Sequence, residues 1–407
     1  MARQGASKFL HKAKKSKSDE FYTQYIDIQK EVEAYLEYNP DTFRGKVVYC
    51  NCDDPYESNF FRYFILNFER IGLKRLITTS YKPSPVANTQ LGLFVDNDTV
   101  KQKKGRPKIT ANKFIINSVG DIDGDGEFSL KDVALQLKQN KKNEWSPLDG
   151  DGDFRSAESI ELLKQADFVI TNPPFSLFRE FIKQLVEYDK KFLIIGNINS
   201  LSYREVFSLI KENKVWLGTG MGRWISGFIV PETYELYGTE ARIDENGNRI
   251  VATNNCLWLT NLDHGKRHQP LPLMTLNDNI KFSSHKNVKG VGYKKYDNYD
   301  AIEVPFTDSI PDDYDGVMGV PITFLDKYDP TQFKIMGMCE NKDLYHLKTR
   351  VFSTEECHQA YEDKFHKKGT YDLNASGVIE KDGRFEKVYQ RILIKRIKWN
   401  ENNTKAI

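Results

Sequence analysis

Asn172-Pro173-Pro174-Phe175 is the segment of this chain whose residue types point most directly to chemistry. Two prolines fix two φ angles and remove two N–H donors, so the loop offers mainly carbonyl acceptors. The Asn172 side-chain oxygen adds another acceptor, and Phe175 supplies a flat apolar face. Acceptors beside an aromatic plate suit a planar ring that carries an exocyclic NH2 group. Accepting from both amino hydrogens draws the nitrogen lone pair out of conjugation and aims it at an electrophile. Such a loop needs rigid support on both sides. Phe168-Val169-Ile170 before it reads as a buried strand, and Phe178, Phe181, Ile182, Leu185 and Val186 after it share one helical face. Strand, loop and helix in that order are expected at the carboxyl edge of an open α/β sheet, where ligands bind. The bland alternative is a plain turn, since Asn and Pro are turn residues anyway.

Other elements of such a sheet are visible upstream. Val47-Val48-Tyr49-Cys50 reads as its first strand, with Asn51-Cys52-Asp53-Asp54-Pro55 as the loop at its carboxyl end. Phe60, Phe61, Phe64 and Phe68 then form an aromatic stripe at helical spacing, which reads as core. Leu76-Ile77-Thr78-Thr79 reads as the second strand. From about Leu201 the helical periodicity weakens, and Gly, Asn and aromatic residues become frequent.

The chain has 407 residues, enough for two domains and a sizeable core. It holds no run of about 18 apolar residues, so no membrane span is expected, and its Lys-rich start lacks the apolar core of a secretion signal. Cys50, Cys52, Cys256, Cys339 and Cys357 show no paired metal spacing and read as free thiols in a cytoplasmic protein. The net charge is only +2, so nucleic-acid binding has to be argued from local patches.

Several blocks in order along the chain resemble one family. They are residues 11–25 (HKAKKSKSDEFYTQY), 46–55 (KVVYCNCDDP), 150–156 (GDGDFRS), 192–199 (FLIIGNIN), 227–243 (GFIVPETYELYGTEARI) and 316–325 (GVMGVPITFL). Together with Asn172 to Phe175 they are similar to the EcoRI-type adenine-specific DNA methyltransferases. The likeness is interrupted near 82–148 and fades after about 332. It implies a Rossmann-like sheet using S-adenosylmethionine, followed by a mixed α/β target-recognition region. It implies that Asn172 and the Pro173 carbonyl accept from the target amino group, that Pro174 stiffens the loop, and that Phe175 stacks on a base flipped out of duplex DNA. It further implies cofactor contacts from Phe21, Tyr22 and Thr23, from Asn51, Asp54 and Pro55, and from Asp153 and Phe154. Three features depart from the pattern. Gln24 stands where relatives usually have proline, the loop after Cys50 lacks a Gly-rich turn, and no acidic residue closes the second strand. A methyltransferase on RNA or on a protein glutamine amide, and a non-catalytic DNA-binding protein, are the alternatives.

The likeness gives DNA as a partner, with a cognate restriction endonuclease acting on the same site, and a monomer as the working form. Basic candidates for DNA contact are Lys12, Lys14, Lys15 and Lys17, Lys104 and Arg106, Arg223, Lys266 and Arg267. Residues 101–108 read either as an AT-hook-like minor-groove arm around Gly105-Arg106-Pro107 or as a solvated basic loop. Asp121, Asp123, Asp125, Glu127 and Asp132 have the rhythm of a calcium loop, with Gly126 at its sharp turn. They read either as a structural Ca²⁺ site or as an acidic turn. Residues 391–398 alternate apolar and basic, as in a half-buried strand with a basic face. The expected organisation is a basic arm over 1–20, a catalytic domain over 21–200 with the insert 82–148, and a recognition region over 201–407.

Overall fold

The computed structural model describes residues 22–52, 58–81, 111–122, 124–125, 128–129, 132, 135, 142–221, 225–230, 236, 241–251 and 255–397. These fall in two compact units, one within 1–210 and 214–265, the other within 211–213 and 266–407.

The first unit begins with a two-residue strand, Tyr22–Thr23 (β1), and a helix, Tyr25–Tyr38 (α1). Val47–Cys50 (β2), Asn59–Leu66 (α2) and Arg75–Thr79 (β3) follow. Then come Asn112–Ile116 (β4), Glu144–Pro147 (β5), Ala157–Gln165 (α3) and Phe168–Thr171 (β6). Phe178–Glu187 (α4), Lys191–Asn197 (β7), Arg204–Lys211 (α5) and Trp216–Met221 (β8) continue it. Phe228–Val230 (β9), Arg242–Ile243 (β10), Arg249–Val251 (β11) and Cys256–Thr260 (β12) complete it.

Eight of these strands form one mixed sheet in the order β5-β4-β3-β2-β6-β7-β12-β8. Its centre, β3-β2-β6-β7, is parallel, while β4, β5 and β12 pair antiparallel with their neighbours. All four residues of β2 and of β6 are buried, the pattern of strands covered on both faces. Val48, Cys50, Leu76, Ile170, Leu193 and Ile195 share one core with Ile28, Val32 and Tyr35 of α1 and Phe60, Phe61 and Phe64 of α2. From the other side α3 packs on β2 and α4 on β7. In α4 the buried residues are Phe178, Phe181, Ile182 and Leu185. Val186, assigned to that face from spacing, is instead 42% exposed, because its neighbour Leu185 takes the centre of the stripe. A second, antiparallel sheet runs β1-β9-β11-β10.

The second unit holds Leu276–Phe282 (α6), Ala301–Glu303 (β13), Val317–Pro321 (β14), Phe333–Met338 (β15) and Thr354–Phe365 (α7), then Val378–Lys381 (β16), Arg384–Lys387 (β17) and Arg391–Arg396 (β18). Its sheet has the order β13-β14-β18-β15, and β16-β17 is a hairpin. Strand β18 lies inside that sheet, and Arg391 to Ile394 are all buried. The expected basic face is therefore absent at Arg391, whose guanidinium donates from Nη2 to Glu303 at 2.6 Å inside the unit. A buried guanidinium requires such a partner.

Candidate active site

The chain passes from β2 to β3 on one side of the sheet, then returns to lay β6 on the other side of β2. This is a topological switch point, and the crevice outside the carboxyl ends of the flanking strands is where open α/β sheets bind ligands. Asn51 follows β2 and Asn172 follows β6, so both loops singled out from the sequence open on that crevice. They are tied together by the Thr171 hydroxyl, which donates to the Asn51 carbonyl. Asn172, Pro173 and Pro174 are buried and Phe175 is half-buried. The Leu177 N–H donates to the Pro174 carbonyl at 3.0 Å, closing a turn over Phe175–Leu177. That turn uses the Pro174 acceptor and leaves the Pro173 carbonyl outside it.

The Phe175 ring meets Phe228 of β9 edge to face, with centroids 6.4 Å apart and planes at 68°. Phe228 in turn pairs with Thr23 of β1, and the Asn59 amide donates to the Thr23 carbonyl at 2.8 Å. So Thr23, Asn59, Phe228 and the loop after β6 are fixed against one another. The Thr23 Oγ1 and the Asn51 Oδ1 are both buried with no hydrogen-bond partner among the described residues. Buried polar atoms are normally satisfied, and exceptions mark a missing ligand, water or ion.

Gly152 brings a third loop to the same edge. It has φ +81°, and a Cβ there would stand 2.0 Å from the carbonyl oxygen of Ser80, just past β3. Next to it, the Asp153 carboxylate receives Arg155 through Nη2 at 2.7 Å and Nε at 2.9 Å. Phe154 is buried, edge-on to Phe181 at 5.0 Å, and its carbonyl accepts from the Gln184 amide at 3.1 Å. Its ring anchors the loop to α4, while the Asp153 carboxylate stays partly exposed.

Sequence reasoning missed the acidic pair on α1. Glu31 Oε1 accepts from the Thr219 N–H at 2.7 Å and from the Tyr35 hydroxyl at 3.1 Å. Its Oε2 accepts from the Thr219 hydroxyl at 2.7 Å and the Gly220 N–H at 2.8 Å. One turn earlier, Asp27 Oδ2 accepts from the Ser226 N–H at 2.9 Å and hydroxyl at 2.8 Å, while Gln24 donates to the Gly227 carbonyl at 3.0 Å. Burial raises the pKa of both carboxyls, and these hydrogen bonds oppose it. Asp27 and Gln24 thus hold Ser226 and Gly227 immediately before Phe228, while Glu31 holds Thr219 and Gly220 at the end of β8. One signal was present: Asp27 and Glu31 lie in the same helical stripe as Ile28, Val32 and Tyr35.

The profile of one family, described as adenine-specific methyltransferase EcoRI, matches residues 9–397. The chain belongs to this family. Among individual relatives, the type II methyltransferase M.EcoRI of Escherichia coli is 53% identical over 343 residues, which cover 84% of this chain and 93% of that protein. The type II methyltransferase M.MpnI of Mycoplasma pneumoniae is 35% identical over 348 residues, 84% of this chain and 90% of its own. M.MgeORF184P of Mycoplasma genitalium, also a type II methyltransferase, is 36% identical over 347 residues with the same two coverages. No solved structure matches the chain.

This family of methyltransferases implies S-adenosylmethionine as methyl donor, and the site fits such a polar, extended cofactor. Thr23 and Asn51 present buried oxygens without partners, and Asp153 lies on the loop that Gly152 presses against Ser80. Phe21, Asp54 and Pro55 lie outside the described residues, as do Lys12, Lys14, Lys15, Lys17, Lys104, Arg106 and Arg223. Lys266 is ion-paired with Asp326 at 2.6 Å, and Arg267 donates to the Asn213 side chain. Their neighbour His264 is buried, with Nε2 2.9 Å from the Leu217 carbonyl and its ring edge-on to Tyr35, so it is structural.

The acidic loop gives calcium no support. Asp132 is fully buried, with Oδ1 accepting from the Ile122 N–H at 2.8 Å and Oδ2 from the Ser129 N–H and hydroxyl, both at 2.9 Å. Asp121 caps Gly124 N–H at 2.6 Å. Asp125 makes no metal cluster with them, and among the described residues no group of three His, Cys, Asp or Glu side chains is arranged to hold an ion. Asp123 and Glu127 lie outside the described residues. Among the described residues no helix is long and apolar enough to cross a membrane.

Proposed function

We propose that the protein methylates N6 of adenine in duplex DNA at a specific site, GAATTC being the sequence implied by its likeness to M.EcoRI, with the second adenine as target. One observation carries the reading. The Asn172–Phe175 loop stands at the carboxyl end of β6, beside the switch point, joined through Phe228 and Thr171 to the two unpartnered oxygens of Thr23 and Asn51. The eight-stranded sheet, parallel at its centre, supports assignment to the Rossmann-like methyltransferase class.

A target adenine inside a duplex is out of reach, so the base is flipped into the crevice at a cost of a few kcal/mol. Phe175 stacks on its face, held edge-on by Phe228. The Asn172 Oδ1 and the Pro173 carbonyl accept from the two amino hydrogens and turn the lone pair out of the ring plane. S-adenosylmethionine supplies the methyl group on a sulfonium, where it is electrophilic, and Thr23, Asn51 and Asp153 are the residues to hold it. Positioning is the main catalytic device of the protein groups. The family's adenine specificity sets aside the glutamine-amide reading.

The same reading gives the first unit catalysis and the second unit target recognition. It makes the protein a cytoplasmic monomer acting beside an endonuclease that cuts the same site. Titration with S-adenosylmethionine, with and without a GAATTC duplex, tests it. Cofactor binding that tightens with the duplex and yields methylated DNA is expected, and methyl transfer to RNA alone would overturn it.

A further inference from the structure

Residues 279–296 of the second unit contain no acidic side chain, although Asp278 and Asp297 bound them on either side. Within the stretch Lys281, Lys286, Lys289, Lys294 and Lys295 are all exposed. None forms an ion pair among the described residues, whereas most arginines of the same unit are held by its own carboxylates. Arg350 is held by Asp297 and Glu356, Arg391 by Glu303 and Arg396 by Asp312, as Lys266 is by Asp326. The backbone beneath the lysines is anchored. Ser283, Val288 and Tyr296 are buried, the Gly290 N–H donates to the Ile280 carbonyl at 2.8 Å and sets Lys289 near Lys281, and the Glu303 N–H donates to the Lys294 carbonyl at 2.7 Å. His285 is stacked on Phe306 at 3.7 Å and lies 2.8 Å from Asp308, which pins the middle of the loop. Phe282 and Val291, at 68% and 62% exposure, interleave with the cations.

We infer that residues 281–295 form a surface that docks the phosphate backbone of duplex DNA. The inference rests on the reading of the protein as a DNA methyltransferase and adds to it a binding surface in the second unit. Backbone contact needs point cations without competing carboxylates, on a scaffold ordered enough to fix register. Five exposed, unpaired lysines on an anchored loop meet these needs, and the Asp308 carboxylate beside the loop is engaged by His285. Sequence reading passed over the stretch because its lysines are spread from Lys281 to Lys295 rather than forming one dense cluster, and because pairing of the other cations shows only in the fold.

The test is duplex affinity against salt for the full chain, using fluorescence anisotropy on a GAATTC duplex and on a scrambled duplex. Each phosphate contact contributes about 0.9 to the slope of log K against log salt. Lys286→Gln with Lys289→Gln should lower the slope by about 1.8 and weaken binding on the order of fifty-fold at 0.1 M salt by the same law, equally on both duplexes. Binding of S-adenosylmethionine alone and the melting temperature should not change, and Lys286→Arg with Lys289→Arg should retain the wild-type slope. An unchanged slope in the glutamine variant, with wild type binding and methylating DNA, would overturn this surface alone. A wild type that binds neither duplex would overturn the DNA reading and this surface with it.

Discussion

Glu31 is the residue whose replacement the structure prices most directly. In Glu31→Ala the N–H groups of Thr219 and Gly220 lose their acceptors, while Tyr35 keeps Thr260 as an alternative partner. A buried donor left unsatisfied costs about 1–3 kcal/mol. Gly220 is buried and Thr219 only half-buried, so the two sum to about 3 kcal/mol. The loss of the carboxylate also opens space beside Gly218, where a Cβ would stand 2.3 Å from Glu31 Oε1. For a unit of this size about 3 kcal/mol corresponds to a fall in Tm of roughly 6–12 °C. Glu31→Gln should cost less, about 1–2 kcal/mol, because one amide oxygen still accepts while the NH2 faces a donor. The pH dependence has a definite sign. Burial raises the folded carboxyl pKa, so the folded state binds the proton more tightly than the unfolded chain. As the pH falls through the raised value toward that of an unfolded Glu, wild type should gain stability relative to Glu31→Gln. Urea unfolding of the three proteins across pH 4–8 measures all of this. Glu31→Ala within about 0.5 kcal/mol of wild type, the range of ordinary surface substitutions, would refute the reasoning.

The other expectations are shorter. Gly152→Ala should displace the Asp153 loop, since φ +81° and the Ser80 carbonyl both oppose a Cβ; calorimetry should show weaker S-adenosylmethionine binding at near-normal DNA affinity. Arg391→Met should destabilise the protein by about 3–5 kcal/mol in chemical denaturation, because Glu303 is left as a buried charge without its partner. Phe175→Ala should lose about 1–3 kcal/mol of base stacking, read as reduced fluorescence of an extruded adenine analogue at the target position. A chelator should leave Tm unchanged, since Asp132 is satisfied by backbone and hydroxyl donors.

The parts that were legible in the sequence are those whose physics is local. Asn172 to Phe175 announced itself because two prolines, an amide and a ring in succession restrict both backbone and chemistry, whatever surrounds them. Strands β2 and β6 were legible as short apolar runs, and α2 as an aromatic stripe. What escaped depends on distant partners. Glu31 meets Thr219 across 188 positions and Arg391 meets Glu303 across 88, so the helical stripe hints that Glu31 is buried but neither charge's partner can be read from periodicity or composition. The place of β12 beside β7 in the large sheet, although it lies beyond residue 200, follows from pairing alone. The acidic loop was legible only as two alternatives. Its spacing suits calcium or an acidic turn, and the inward hydrogen bonds of Asp132 to its own loop, which spacing does not encode, lend calcium no support.

Methyl transfer itself is the most direct test of the central claim. A GAATTC duplex incubated with methyl-labelled S-adenosylmethionine and wild type, then digested to nucleosides and analysed by mass spectrometry, should yield N6-methyladenine, with strand mapping to the second adenine. Asn172→Ala should lose about 2–4 kcal/mol of barrier stabilisation, a rate loss of roughly thirty- to a thousand-fold, while binding the cofactor within a few-fold of wild type. Label on cytosine or on no base at all, or near-normal turnover by Asn172→Ala, would contradict the account.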